Sequence, residues 1–128
     1  MRRIIFILIA LFFISCDPTF HDDFIIVNKC NEDINVSIFY QNGNEQNFIV
    51  KSQSEYTLYY SERVGGVSKE EKIGYIFQEI TLTKDSVVSK ANYADYHLWK
   101  KENVEDSKRA MYYTNVKYYL IITPKDFE

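Results

Sequence analysis

Two hydrophobic patterns divide the chain. From Ile4 to Ile14 all eleven residues are apolar, with no polar face at helical spacing. From Phe24 onward, short apolar runs alternate with polar residues and turn signals, the pattern of half-buried strands. Phe24 to Asn28 reads as a first strand, closed by Lys29 to Asp33. Ile34, Val36, Ile38 and Tyr40 then share one face of a second. Gln41 to Asn44 signals a hairpin. A three-residue loop over 42–44 sets Ile38 opposite Phe48 and Val36 opposite Val50, whereas a two-residue loop sets Ile38 opposite Asn47. Keeping apolar residues together selects the longer loop, with Asn44 in the left-handed position.

Further along, Lys51 to Glu55 is a polar connection, and Tyr56, Leu58 and Tyr60 alternate as a fourth strand. Val64 to Val67, with two central glycines, reads as a loop. Ser68 and Glu71 fit a capping box, which predicts one or two helical turns over about 69–77. Alternation of Tyr75 and Phe77 leaves a strand as the competing reading, and Gly74 disfavours the helix by about 1 kcal/mol. Strands are predicted over 79–83 and 96–101, and a charged loop over 102–109. The last element, Met111 to Thr123, places Val116, Tyr118, Leu120 and Ile122 on one face. Pro124 ends it. So long an apolar strand would aggregate at a sheet edge, which predicts a central position. About seven strands and at most one short helix imply an all-β fold: a single antiparallel sandwich, immunoglobulin-like, with a small closed barrel as the alternative.

The N-terminal run belongs to a different physical problem. Eleven helical residues span about 16 Å, half the hydrocarbon thickness of a bilayer, so the run is too short to cross one. Arg2 and Arg3 before it and Ser15 after it complete the order of a signal peptide covering residues 1–15. The tetrad Phe13-Ile14-Ser15-Cys16 resembles a lipobox, looser than the enterobacterial pattern and similar to those of small Bacteroidetes lipoproteins of unknown function. That resemblance covers residues 1–16 specifically and the rest only in general composition. It implies that the Cys16 thiol carries a diacylglyceryl group, that the new amino terminus is acylated, and that the protein is exported to the cell envelope, with the outer membrane as the expected site. Two or three acyl chains at about 0.8 kcal/mol per CH₂ hold a protein permanently, where one would not. Residues 16–23 are then a short tether with a reach of about 25 Å, and residues 24–128 the domain.

Composition narrows the partners. Removing residues 1–15 from 128 leaves 113, enough for one domain. It also removes two of the fifteen basic residues and none of the eighteen acids, so the mature net charge is −5. That balance argues against a nucleic-acid partner, whose backbone needs a basic surface. With Cys16 lipidated, Cys30 is unpaired, and a small buried apolar side chain is its expected role.

Candidate chemistry is sparse. His21, Asp22 and Asp23 make a conceivable metal trio, but three polar residues in a tether are seldom a site, and no metal is expected. Asp95 could orient His97, with no nucleophile evident nearby. No phosphate loop, serine elbow or zinc motif occurs, so neither catalysis nor a cofactor is expected. Tyrosine is the unusual signal, with eleven in the chain. Adjacent residues on a strand face opposite ways, so Tyr59, Tyr112 and Tyr119 could form an outward platform for a sugar or protein. The competing reading is the ordinary preference of tyrosine for strands. These observations lead to a membrane-anchored, non-enzymatic interaction or structural module. An inhibitor or immunity lipoprotein using the charged loop, and a glycan-binding accessory protein using the tyrosines, are the alternatives.

Overall fold

The computed structural model describes residues 19–64, 73–106 and 113–128, with the side chains of 21–62, 73–102 and 115–128. The signal peptide, Cys16, Tyr112 and the glycine loop after Val64 lie outside them. Eight strands are described: β1 (Thr19–Asn28), β2 (Ile34–Tyr40), β3 (Glu45–Val50), β4 (Glu55–Val64), β5 (Phe77–Lys84), β6 (Val87–Val88), β7 (Lys100–Asp106) and β8 (Tyr113–Ile122). One helical turn, α1 (Ile73–Ile76), precedes β5, and 3₁₀ turns cover Tyr96–Leu98 and Pro124–Phe127. They form two four-stranded sheets, ordered β4-β1-β8-β7 and β3-β2-β5-β6. The architecture is the β-sandwich that the alternation predicts, and neither sheet closes into a barrel. Every pairing is antiparallel except that of β1 with β8, where the first and last strands run parallel in register from Thr19–Tyr113 to Asn28–Ile122.

The core lies between the inner faces. Phe24 of β1 stacks on Tyr118 of β8 at 4.7 Å and meets Phe77 of the opposite sheet edge-on at 5.8 Å. Trp99, on the segment that crosses from β6 to β7, stacks on Phe77 at 6.2 Å and donates its indole N–H to the Tyr93 carbonyl. Offset and edge-to-face geometries suit the ring quadrupoles and fill a large volume with few side chains. Phe48 and Tyr56 stack at 4.6 Å across the edge strands β3 and β4, closing one flank.

β8 is central, between β1 and β7, and Val116, Tyr118, Leu120 and Ile122 are all buried. The 3₁₀ turn after it begins at Pro124, as a residue without an N–H requires. Ile73 and Ile76 of α1 are buried, so the helical reading holds for that turn.

Four boundaries differ from the pattern. β1 begins at Thr19 rather than Phe24, so His21, Asp22 and Asp23 belong to the sheet and not to a tether. Pairing on both edges offsets the poor strand propensity of aspartate there. The hairpin pairs Val36 with Phe48 and Ile34 with Val50, two residues from the predicted register. Its left-handed residue is Gly43, at φ +88°, and not Asn44. Apolar matching settles the parity of a register, and the glycine settles which of the same-parity registers forms. Residues 96–98 are a 3₁₀ turn and not strand, because the Asp95 carboxylate accepts the His97 backbone N–H. The charged segment 102–109 is no loop over its first five residues, which complete β7, the charged edge strand beside β8. Charges suit an edge because they oppose further pairing.

Leu120→Ala is expected to cost about 2–5 kcal/mol in denaturant unfolding, as a buried leucine at a sandwich centre should. Amides of Val116–Ile122 are expected to exchange slowest and those of β6 fast; fast exchange along β8 would contradict its central place.

Candidate functional site

Two of the three tyrosines expected to form an outward platform, Tyr59 and Tyr119, do not share a face of the sheet. Tyr59 pairs with Phe24 on the core-facing side, its ring 6.1 Å from those of Phe24 and Phe77, and stays 37 % exposed at the rim. Tyr119 pairs with Ile25 on the opposite face of the sheet. The cause is a bulge in β4: Phe24 pairs with Tyr59 but Ile25 with Thr57, so Leu58 is extra and the alternation beyond it is inverted. A single inserted residue moves Tyr59 inward and sends Tyr60 outward. Tyr112 lies outside the described residues.

Tyr60 meets His21 there. The His21 ring sits 5.6 Å from that of Tyr60, with its Nδ1 hydrogen-bonded to the phenol and its Nε2 3.8 Å from a Glu62 carboxylate oxygen. β1 alternation puts Asp23 on this face and Asp22 on the inner one, where it is 1 % exposed. The trio of His21, Asp22 and Asp23 is therefore divided between two sides of a sheet, and its side chains do not converge on one point. Among the described residues no group of three His, Cys, Asp or Glu could hold a metal ion. His21, Tyr60 and Glu62 form a cross-strand polar row, which ties β1 to β4.

His97 lies exposed on its 3₁₀ turn. Its Nδ1 is 2.9 Å from the Asp95 carboxylate, whose acidity is raised first by the His97 backbone N–H and then by the ring. The adjacent groove, of about 560 Å³, is lined by Gln41, Gly74, Gln78, Asn92, Asp95 and Leu98. Its amides already have structural duties: Asn92 accepts the Ile80 and Ala94 N–H groups, and Gln41 donates to the Gly74 carbonyl. This groove secures the crossing from one sheet to the other.

A densely hydrogen-bonded polar assembly lies at the opposite end of β1. The Asn28 side chain, 1 % exposed, donates to the carbonyls of Glu32, Val50 and Lys51 and accepts the Cys30 N–H. One amide thereby joins the end of β1, the 29–33 turn and the β3–β4 connection. Gln53, held at φ 54°, donates to the Lys29 and Cys30 carbonyls, and the Ser52 hydroxyl donates to that of Cys30. Asp33 accepts the Ser52 N–H and pairs with Lys51 at 3.2 Å; those two donors, in that order, hold its carboxyl below the usual range. Lys84 reaches Glu32 at 3.2 Å and lies over the Phe127 ring. The Tyr93 phenol donates to Asp126, and burial together with that bond pushes it up to about 12. Within the assembly Cys30 is a free, fully buried thiol whose pKa burial raises, the inert state expected of it. Pattern reading missed this end because Asn28 looks like an ordinary strand-terminal residue. The available signal was the density of Asn, Asp, Ser and Gln in 28–33 and 51–54.

One buried amide thus holds two polar connections, 29–33 and 51–54, against the end of β1, and carboxylates and lysines lie side by side on the surface they form. No protein-family model matches the chain, and no curated protein or solved structure matches it.

Asn28→Ala is expected to lose on the order of 2–4 kcal/mol in chemical denaturation, since it strands buried backbone groups. For Tyr93 the folded state holds its proton more tightly than the unfolded chain, where the phenol titrates at 10.0. The stability this contributes is complete below pH 10 and declines as pH rises through about 12. Tyr93→Phe should cost about 1 kcal/mol at neutral pH and flatten the alkaline decline, as followed by unfolding titrations at increasing pH.

Proposed function

We propose that this protein is a lipid-anchored module of the bacterial cell envelope, at the outer membrane, that acts by binding and not by catalysis. The observation that carries the reading is the segment Ile4 to Cys16, an apolar run too short to span a bilayer that ends in a lipobox-like cysteine. No helix among the described residues is long and apolar enough to cross a membrane. Two further features support a binding role. The loops at the Asn28 end are held in place before any partner arrives, which lowers the ordering cost of association. The polar side chains that could begin chemistry, His21 and His97, are engaged in a strand-to-strand row and a turn cap.

A protein partner fits this end better than a glycan, because the aromatic row that would stack on sugars is divided between two sheet faces. The inhibitor alternative keeps its motive in the net acidity, while five of the eight residues of its charged loop, 102–106, belong to an edge strand. The mature charge of −5 still opposes nucleic acid.

The N-terminal peptide of protein extracted from its own envelope should carry a diacylglyceryl group on Cys16 and begin at that residue. Cys16→Ser should move the protein from the membrane to the soluble fraction while leaving the sandwich folded. A free Cys16 thiol, or an intact residue 1–15 segment on the mature protein, overturns the proposal.

A further inference from the structure

The anchor and the fold together constrain how the domain meets its membrane. Cys16 is three residues from Thr19, a span of at most about 11 Å. Thr19 is no loose end: its backbone is paired with Val64 on one side and Tyr113 on the other. The pairings continue along β1 to Val27–Glu55 and Asn28–Ile122. A strand of ten residues is about 33 Å long. With both edges hydrogen-bonded it behaves as a stiff post, tethered at one end.

We infer that the sandwich stands against the bilayer on its Thr19 end and holds the Asn28 end, with its cross-linked loops, outward. This rests on the lipid-anchor reading. The partner of the Thr19 end is the lipid surface in which the Cys16 acyl chains sit. The Asn28 end then lies about 30 Å above it, clear of the headgroups. Charge favours the same posture. An acidic domain is repelled by an anionic leaflet, so holding most of its charge away from the headgroups costs less than lying along them. The surface that the buried Asn28 amide orders is therefore also the surface most accessible to a partner.

The test uses the lipidated protein in phosphatidylethanolamine–phosphatidylglycerol vesicles doped with a nickel-chelating lipid. Glu62 and Glu55 are both exposed on β4, opposite His21 and Val27, near the two ends of the post. Nitroxides on Glu62→Cys and Glu55→Cys report proximity to the surface; Cys16 is acylated and Cys30 buried, so neither competes for label. Relaxation enhancement by the nickel lipid should be several-fold greater at 62 than at 55. An equal or reversed pair, on protein whose Cys16 is shown by mass to be acylated, overturns the inference and leaves the anchor intact. A free Cys16 overturns the anchor reading and this one with it. A second variant, with about ten Gly and Ser residues inserted after Pro18, gives the domain a tether of roughly 17 Å and should flatten the difference. A difference unchanged by that insertion also overturns the inference. Native circular dichroism of each labelled protein shows that the sandwich is folded where the comparison is made.

Discussion

Parallel pairing of β1 with β8 is the constraint on which the rest depends. Antiparallel neighbours can be joined by a tight turn, but parallel ones cannot, and here nearly the whole domain forms the connection. Closing a loop of roughly 85 residues costs about 4 kcal/mol in chain entropy. What offsets it is concentrated along the seam. Phe24 stacks on Tyr118, and Ile26 and Asn28 are paired with the buried Leu120 and Ile122. The seam has to be central, because each of its strands is then paired on both edges and its apolar face is covered by the second sheet. β4 and β7 take the edges, the first bulged and the second charged. Both features discourage the sheet from growing.

The same seam explains why polar order collects at one end. Where β1 and β8 finish, the Lys29 N–H bonds the Ile122 carbonyl and the Asn28 N–H bonds that of Ser54. Asn28 then sits where three chain segments leave the sandwich together, with backbone groups that the ladders no longer satisfy. A buried primary amide has two N–H donors and an acceptor oxygen, so it reaches all three carbonyls by sharing one N–H between two of them and still accepts the Cys30 N–H. A leucine there would bury more apolar area and leave several carbonyls unpaired. Rigidity at this end follows from solving a hydrogen-bonding problem, and a preformed surface is its by-product.

Much of the fold was legible in the chain because alternation reports which face is buried. The strands over 34–40, 79–83 and 113–122, the end at Pro124 and the central place of β8 all follow from it. Failures have local causes. His21, Asp22 and Asp23 hide the first half of β1, since a doubly paired strand tolerates residues that an isolated pattern reads as tether. Lys100 to Asp106 carries almost no apolar signal and is a strand because β8 needs a neighbour. Asp95 turns a strand-like stretch into a 3₁₀ cap through one carboxylate. Least legible was the bulge at Leu58, which inverts the facing of Tyr59 and Tyr60. Nothing in Tyr56 to Tyr60 announces an extra residue, because the bulge is a property of the pair.

By itself, then, the amino-acid sequence determined the class of the fold, the parity of its hairpin, its longest central strand and the separate physical character of Ile4 to Cys16. These depend on the order of apolar and polar residues and on the length of a run, which are properties of a single segment. Tertiary structure decided where β1 begins, which strands pair in parallel, which tyrosines face outward and what Asn28 holds together. Those depend on neighbours brought from far along the chain, whose hydrogen bonds and packing outweigh the local preferences of the residues they meet.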